Sequence, residues 1–126
     1  MPLHGGGRAE KSYIHTRDLA RAIHLVVDKA PLGTVYNVGP DEPTSIRRIV
    51  ELVAEALNMP FEELCEVSGD RLGQDARYWL DSSAIKRDVG WKQQIDWQEG
   101  MREMVAWVRA NLTDLRNMST EFVLRG

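Results

Sequence analysis

A chain of 126 residues can bury one core without a disulfide or a metal, and one domain is its default organisation. With 43% hydrophobic and 28% charged residues it has ordinary globular chemistry, and a net charge of −3 excludes a general attraction to nucleic acid or anionic membrane. Any anion site must therefore be local. The single Cys65 excludes an internal disulfide and suits a half-buried strand thiol in a reducing cytoplasm, while three scattered histidines offer no metal-ligand spacing. Met1-Pro2-Leu3-His4 lacks a basic region and an apolar stretch, and no segment approaches the length of a membrane span.

Gly5-Gly6-Gly7-Arg8 reads as a flexible turn or linker with no strand before it, so it is not a dinucleotide fingerprint, which needs strand, G-x-G-x-x-G and helix in order. Tyr13-Ile14-His15 reads as a short strand. Thr16 then caps a helix over residues 17 to 29, with Leu19, Ile23, Val26 and Val27 at helical spacing, and Pro31 and Gly33 end it. Thr34-Val35-Tyr36-Asn37-Val38 is a β-branched and aromatic strand stopped by Gly39-Pro40. After Pro43, Thr44 or Ser45 caps a helix to about Asn58 with Ile46, Ile49, Val50, Val53, Ala54 and Leu57 on one face. Pro60 to Glu63 suggests a helical turn, Cys65 to Val67 a strand, and Arg77 to Leu80 another. Ser82 caps a short helix through Val89 that Gly90 closes, with Trp91 placed to fold back on it. Asp96 and Glu99 box the start of a last helix whose stripe is Met101, Met104, Val105 and Val108, with Trp97 and Trp107 as core or rim aromatics. Residues 112–126 lack a period and read as a tail, with a strand expected at Glu121 to Leu124. Alternating strands and helices make the class α/β.

After the strand at Cys65 to Val67, Gly69-Asp70-Arg71-Leu72-Gly73-Gln74-Asp75-Ala76-Arg77-Tyr78 packs two guanidinium groups, two carboxylates and two glycines into ten residues. Arginine presents a planar donor fork that matches a phosphate bidentately, and glycine lets backbone approach a ligand closely, so a diphosphate is the natural guest. The alternative is a solvated loop whose Arg and Asp residues pair with each other.

Lys11-Ser12-Tyr13-Ile14-His15-Thr16-Arg17-Asp18, Tyr36-Asn37-Val38-Gly39, Asp70-Arg71-Leu72-Gly73, Leu80-Asp81, Gly90-Trp91 and Glu99-Gly100, in that order, resemble the C-terminal half of extended short-chain dehydrogenase/reductases acting on nucleotide sugars. The D-R-x-G-x-D-x-R-Y run is most similar to the dTDP-glucose 4,6-dehydratases. The resemblance implies a small substrate-binding domain over residues 1–111, with short strands alternating with about four helices and no Rossmann half. It also implies that residues 1–30 pack on a dinucleotide-binding domain in the parent fold and that 112–126 are a C-terminal tail.

By that resemblance, Arg71 grips the diphosphate and Asn37 donates to a phosphate oxygen or a base edge. Lys11 stands where the family carries an arginine, keeping the charge without the fork, and Gln74 where the dehydratase loop has a histidine; Leu72 replaces a proline. The implied partners are a nucleotide-diphosphate sugar and a dinucleotide-binding half supplied in cis or in trans. The complete enzyme would use NAD, oxidising C4, losing water across C5 and C6, and returning the hydride to C6. This chain has no pair of a tyrosine and a lysine four residues later to activate the sugar hydroxyl: Arg17, Pro40 and Ser82 follow Tyr13, Tyr36 and Tyr78 at that spacing. No cofactor is expected to bind this chain alone. The alternative reading is an autonomous non-catalytic module, and in either case an apolar face left bare on the first helix is expected to drive homo-oligomerisation.

Overall fold

The computed structural model describes residues 1–119, and the strand expected at Glu121 to Leu124 lies outside them. Helices dominate: α1 (Thr16–Lys29), α2 (Ile46–Leu57), α3 (Phe61–Leu64), α4 (Ser83–Val89), α5 (Trp97–Ala110) and α6 (Leu112–Asn117). The strands are short. β1 (Pro2–His4) pairs in parallel with β4 (Glu66–Ser68), in the register Pro2 with Glu66 and Leu3 with Val67, and β2 (Glu10–Lys11) pairs antiparallel with β3 (Thr44–Ser45).

Each long helix starts where its sequence provides a cap, although the capping residue is not always the expected one. The N-cap of α1 is His15, whose Nδ1 accepts from the Arg17 amide at 3.2 Å, and Thr16 is already helical. Ser45 caps α2 through its hydroxyl, and Asp96 caps α5 by accepting from the Glu99 amide at 2.7 Å. α2 ends at Asn58 and α4 at Gly90, both in the left-handed conformation that closes a helix. The hydroxyl of Ser82, at the start of α4, is taken up elsewhere, so Asp81 supplies the acceptor for the Ser83 amide at 2.8 Å.

Two expected strands have no ladder. Tyr13 to His15 and Thr34 to Val38 have strand composition but pair with no neighbouring strand among the described residues; strand propensity is realised only against a partner. The β1 strand was hidden by its three-residue length, and it is held by parallel pairing with β4 and by burial of Leu3. β4 lies one residue later than expected, leaving Cys65 buried at the end of α3. Residues 77–80 form only an isolated bridge, Arg77 to Glu10. Residues 112–117, given no period by the sequence, form α6.

The core has two parts. Ala22, Ile85, Val89 and Trp91 bring α1 and α4 together, with Tyr36 and Val38 packed against them; Leu3, Val50 and Cys65 join β1 to α2, with Phe61 and Leu64 at the edge. Trp91 folds back onto α4 as expected and is 1% exposed, its Nε1 donating to the Asp18 carbonyl at 3.0 Å. Asp18 itself is fully buried. Its carboxylate pairs with Arg21 and accepts from the amides of Gln94 and Ile95 at 3.0 and 3.1 Å, so a buried charge is compensated on every side.

Candidate diphosphate site and family membership

The charged run at 69–78 is exposed from end to end, and its conformation is set by what holds its margins. Upstream, the Gly5 amide donates to the Gly69 carbonyl at 3.2 Å, and Arg8 pairs with Asp70 at 3.1 Å. Downstream, Glu10 brackets the chain: its amide donates to the Ala76 carbonyl, its carbonyl accepts from the Tyr78 amide, both at 2.9 Å, and its carboxylate pairs with Arg77 at 3.1 Å. Lys11 Nζ donates to the Asp75 carbonyl at 3.0 Å. Between these margins only a turn remains, in which the Gln74 amide reaches the Arg71 carbonyl at 3.4 Å and Gly73 adopts φ 76°.

The loop's charges therefore do not pair with each other. Asp70 and Arg77 find opposite charges in the segment from Arg8 to Glu10, while the guanidinium of Arg71 has no hydrogen bond or ion pair among the described residues. An exposed fork with its donors free, on a loop whose other arginine is neutralised, can accept an anion without first breaking a salt bridge. Gln74 and Asn37 are likewise exposed, with side chains unbonded among the described residues.

Of the four sequence-derived candidates, Lys11 is brought directly to the Arg71 loop and Gln74 lies within it. No hydrogen bond or ion pair joins Asn37 to the loop among the described residues; only its neighbour Gly39 packs on the flanking segments. A side chain on Gly39 would begin 2.6 Å from Ser12 Oγ and 3.3 Å from Leu80 Cβ, so the backbones after Lys11, after Asn37 and after the Arg71 loop run in close contact. Ser82 locks this approach by accepting from the Gly39 amide at 2.8 Å and donating to its carbonyl at 2.9 Å. Trp79 adds a hydrogen bond to the Pro40 carbonyl at 3.2 Å. These fastenings, and the Gly5 to Arg8 turn, were not legible as parts of a site.

Partial burial, and then Asp88, push the Tyr36 phenol above its ordinary range, the reverse of what proton abstraction needs. No cluster of three metal-ligating side chains occurs among the described residues, and no helix there is long and apolar enough to cross a membrane. A cavity of about 580 Å³ opens away from the Arg71 loop, between the segment at Tyr13 to Thr16 and α5; its walls, including Ile95, Met101, Met104 and Trp107, are largely apolar. Its lining holds no arginine or lysine and two carboxylates, Asp96 and Glu103, so the loop is the better candidate site for a diphosphate.

The family model for GDP-mannose 4,6 dehydratase matches residues 1–104. The chain belongs to that family. It is 33% identical over 111 residues to a dTDP-glucose 4,6-dehydratase of an Actinoplanes species, covering 88% of this chain and 34% of the relative. Similarity to a trifunctional UDP-glucose 4,6-dehydratase, epimerase and reductase of Arabidopsis thaliana is 30% over 111 residues, 88% of this chain and 16% of that one. Among solved structures, the dTDP-glucose 4,6-dehydratase DesIV of Streptomyces venezuelae, solved with NAD bound, superposes with a TM-score of 0.80 at 29% identity, over 90% of this chain and 35% of that one. UDP-glucose 4-epimerase of Thermotoga maritima, at 23% identity and TM-score 0.78, shares the fold. The α/β arrangement is that of the C-terminal portion of these extended short-chain dehydrogenase/reductases, and the chain spans about a third of the length of the dTDP-glucose dehydratases it matches.

Proposed function

We propose that this chain is the nucleotide-diphosphate-sugar-binding part of an NAD-dependent sugar-nucleotide 4,6-dehydratase or epimerase. The observation that carries the reading is the free guanidinium of Arg71, on a loop whose Asp70 and Arg77 are paired with residues outside it and to which Lys11 is tethered. Arg71 holds the diphosphate bidentately, Lys11 adds a point charge that leaves its carbonyl partner for a phosphate oxygen, and Asn37 and Gln74 contribute donors and acceptors to the nucleotide.

Hydride transfer and proton abstraction fall to a dinucleotide-binding half outside this sequence, joined in cis or in trans, which holds NAD and the catalytic tyrosine and lysine. Two features support such a partner. Tyr13 to His15 and Thr34 to Val38 are strand-like segments on either side of α1 with no ladder, and the outer face of α1 is bare. A strand, a helix and a second strand make a parallel crossover unit, whose strands belong in a sheet. The single, buried Cys65 suits a reducing cytoplasm.

Titration calorimetry of this chain with dTDP-, UDP- and GDP-sugars tests the reading. Binding of at least one, lost in Arg71→Ala, is the expected result. A folded sample that binds none of them overturns the clamp in this chain and leaves the non-catalytic interaction module as the better reading.

A further inference from the structure

We infer that the Gly5 to Arg8 turn is the socket that sets Arg71, with Asp70 as the positioning residue between them; the inference rests on reading Arg71 as the diphosphate clamp. Gly5, Gly6 and Gly7 all take positive φ, at 56°, 65° and 71°, so the turn is wound left-handed and brings its backbone against Gly69 and Asp70. A side chain on Gly5 would begin 2.3 Å from Asp70 Oδ1, which means that the carboxylate occupies the space a Cβ would take. Arg8 folds back over the turn, its guanidinium 3.9 Å from the Cβ positions of both Gly5 and Gly6, and pairs with the same Asp70 oxygen at 3.1 Å. The carboxylate, itself exposed, thus rests against the Gly5 backbone on one side and pairs with a cation on another.

Arg71 is the next residue, and from there to Gln74 the loop is exposed and makes no hydrogen bond outside its own turn among the described residues, so the position of Asp70 sets where the Arg71 backbone starts. A carboxylate next to a clamp arginine is otherwise a competitor for its guanidinium. Keeping Asp70 on Arg8 leaves Arg71 free for an anion, which is the arrangement observed.

The two glycines give a matched test in the full chain. Gly5→Ala and Gly6→Ala impose the same kind of strain, since both residues have positive φ, but only Gly5 abuts Asp70; nothing lies nearer than 3.9 Å to a Cβ on Gly6. Gly5→Ala is expected to raise amide exchange at Leu72 to Gln74 and to weaken dTDP affinity about fivefold, the size of effect an exposed charge pair can exert. Gly6→Ala is expected to lower the melting temperature comparably while leaving both readouts near wild type. Asp70→Ala, at an exposed position that tolerates truncation, should reproduce Gly5→Ala, and the double variant should be no worse than either alone. Equal exchange in the two glycine variants, or an Asp70→Ala chain with wild-type exchange, overturns the inference. If dTDP binds none of the chains the clamp reading falls, while the exchange contrast still decides whether the socket orders the loop.

Discussion

The inner side of α1 is fastened at every point: Asp18 accepts two amides and pairs with Arg21, Ala22 is buried, and Trp91 donates into the helix backbone. On the outer side Leu19, Ile23 and Val27 stand in solvent, Val27 at 81% exposure, and just beyond the helix Leu32 and Val35 are more exposed still, at 103% and 89%. The same fourteen residues thus present one face finished within this chain and one that no described residue covers. Burying a large aliphatic side chain is worth about 1.5–3 kcal/mol, so a partner that covers this face would gain apolar burial, set against the cost of association. The difference separates what the chain needs in order to fold from what it offers to a partner.

Breaking the inner side should give the largest effect. Asp18→Ala leaves the amides of Gln94 and Ile95 without acceptors and Arg21 without its anion, and is expected to destabilise the fold by about 3 kcal/mol. Urea denaturation followed by tryptophan fluorescence measures it. Asp18→Asn, which retains one acceptor oxygen, should lose less; equal losses would show that the charge, and not the hydrogen bonding, holds the segment.

Breaking the outer side should do the opposite. Replacing Leu19, Ile23 and Val27 together by glutamine, a good helix former, is expected to shift stability by no more than about 0.5 kcal/mol per site while abolishing self-association. Light scattering across a concentration series reads the result directly. A wild-type chain that stays monomeric at high concentration would remove the premise, and a triple variant that unfolds would mean that the face supports the isolated fold after all.

The same contrast explains how much of the molecule was legible in its sequence. Helices α1, α2 and α5 follow from apolar spacing and from caps within three residues, because those signals are local. What was not legible depends on distant partners. A buried role for Asp18 requires amides 76 and 77 positions away, and Ser82 is drawn off its own helix by Gly39, 43 positions earlier. The two unladdered segments failed for the reverse reason: their propensity is plain, but no strand stands beside them among the described residues. At the candidate site, the composition of the loop pointed to Arg71, whereas the pairings that leave it free run through Arg8 and Glu10, more than sixty positions upstream.

The smallest expected effect lies where a local cap meets this long-range wiring. Because Ser82 is committed to Gly39, Asp81 carries the start of α4, and the Ser83 amide, followed by the Ser83 hydroxyl, holds its carboxyl below the usual carboxylate range. A carboxylate whose pKa is lower in the folded state stabilises the fold above its unfolded value, near pH 4, and that contribution fades as pH falls through the folded value. Asp81→Asn keeps an oxygen for the Ser83 amide but cannot titrate. Its stability should therefore fall less steeply than the wild type's below about pH 4, and urea midpoints of the two chains at pH 6 and pH 3 report the difference. Parallel acid profiles would mean that the Ser83 contacts hold both protonation states of Asp81 equally, so that the cap of α4 contributes without any dependence on pH.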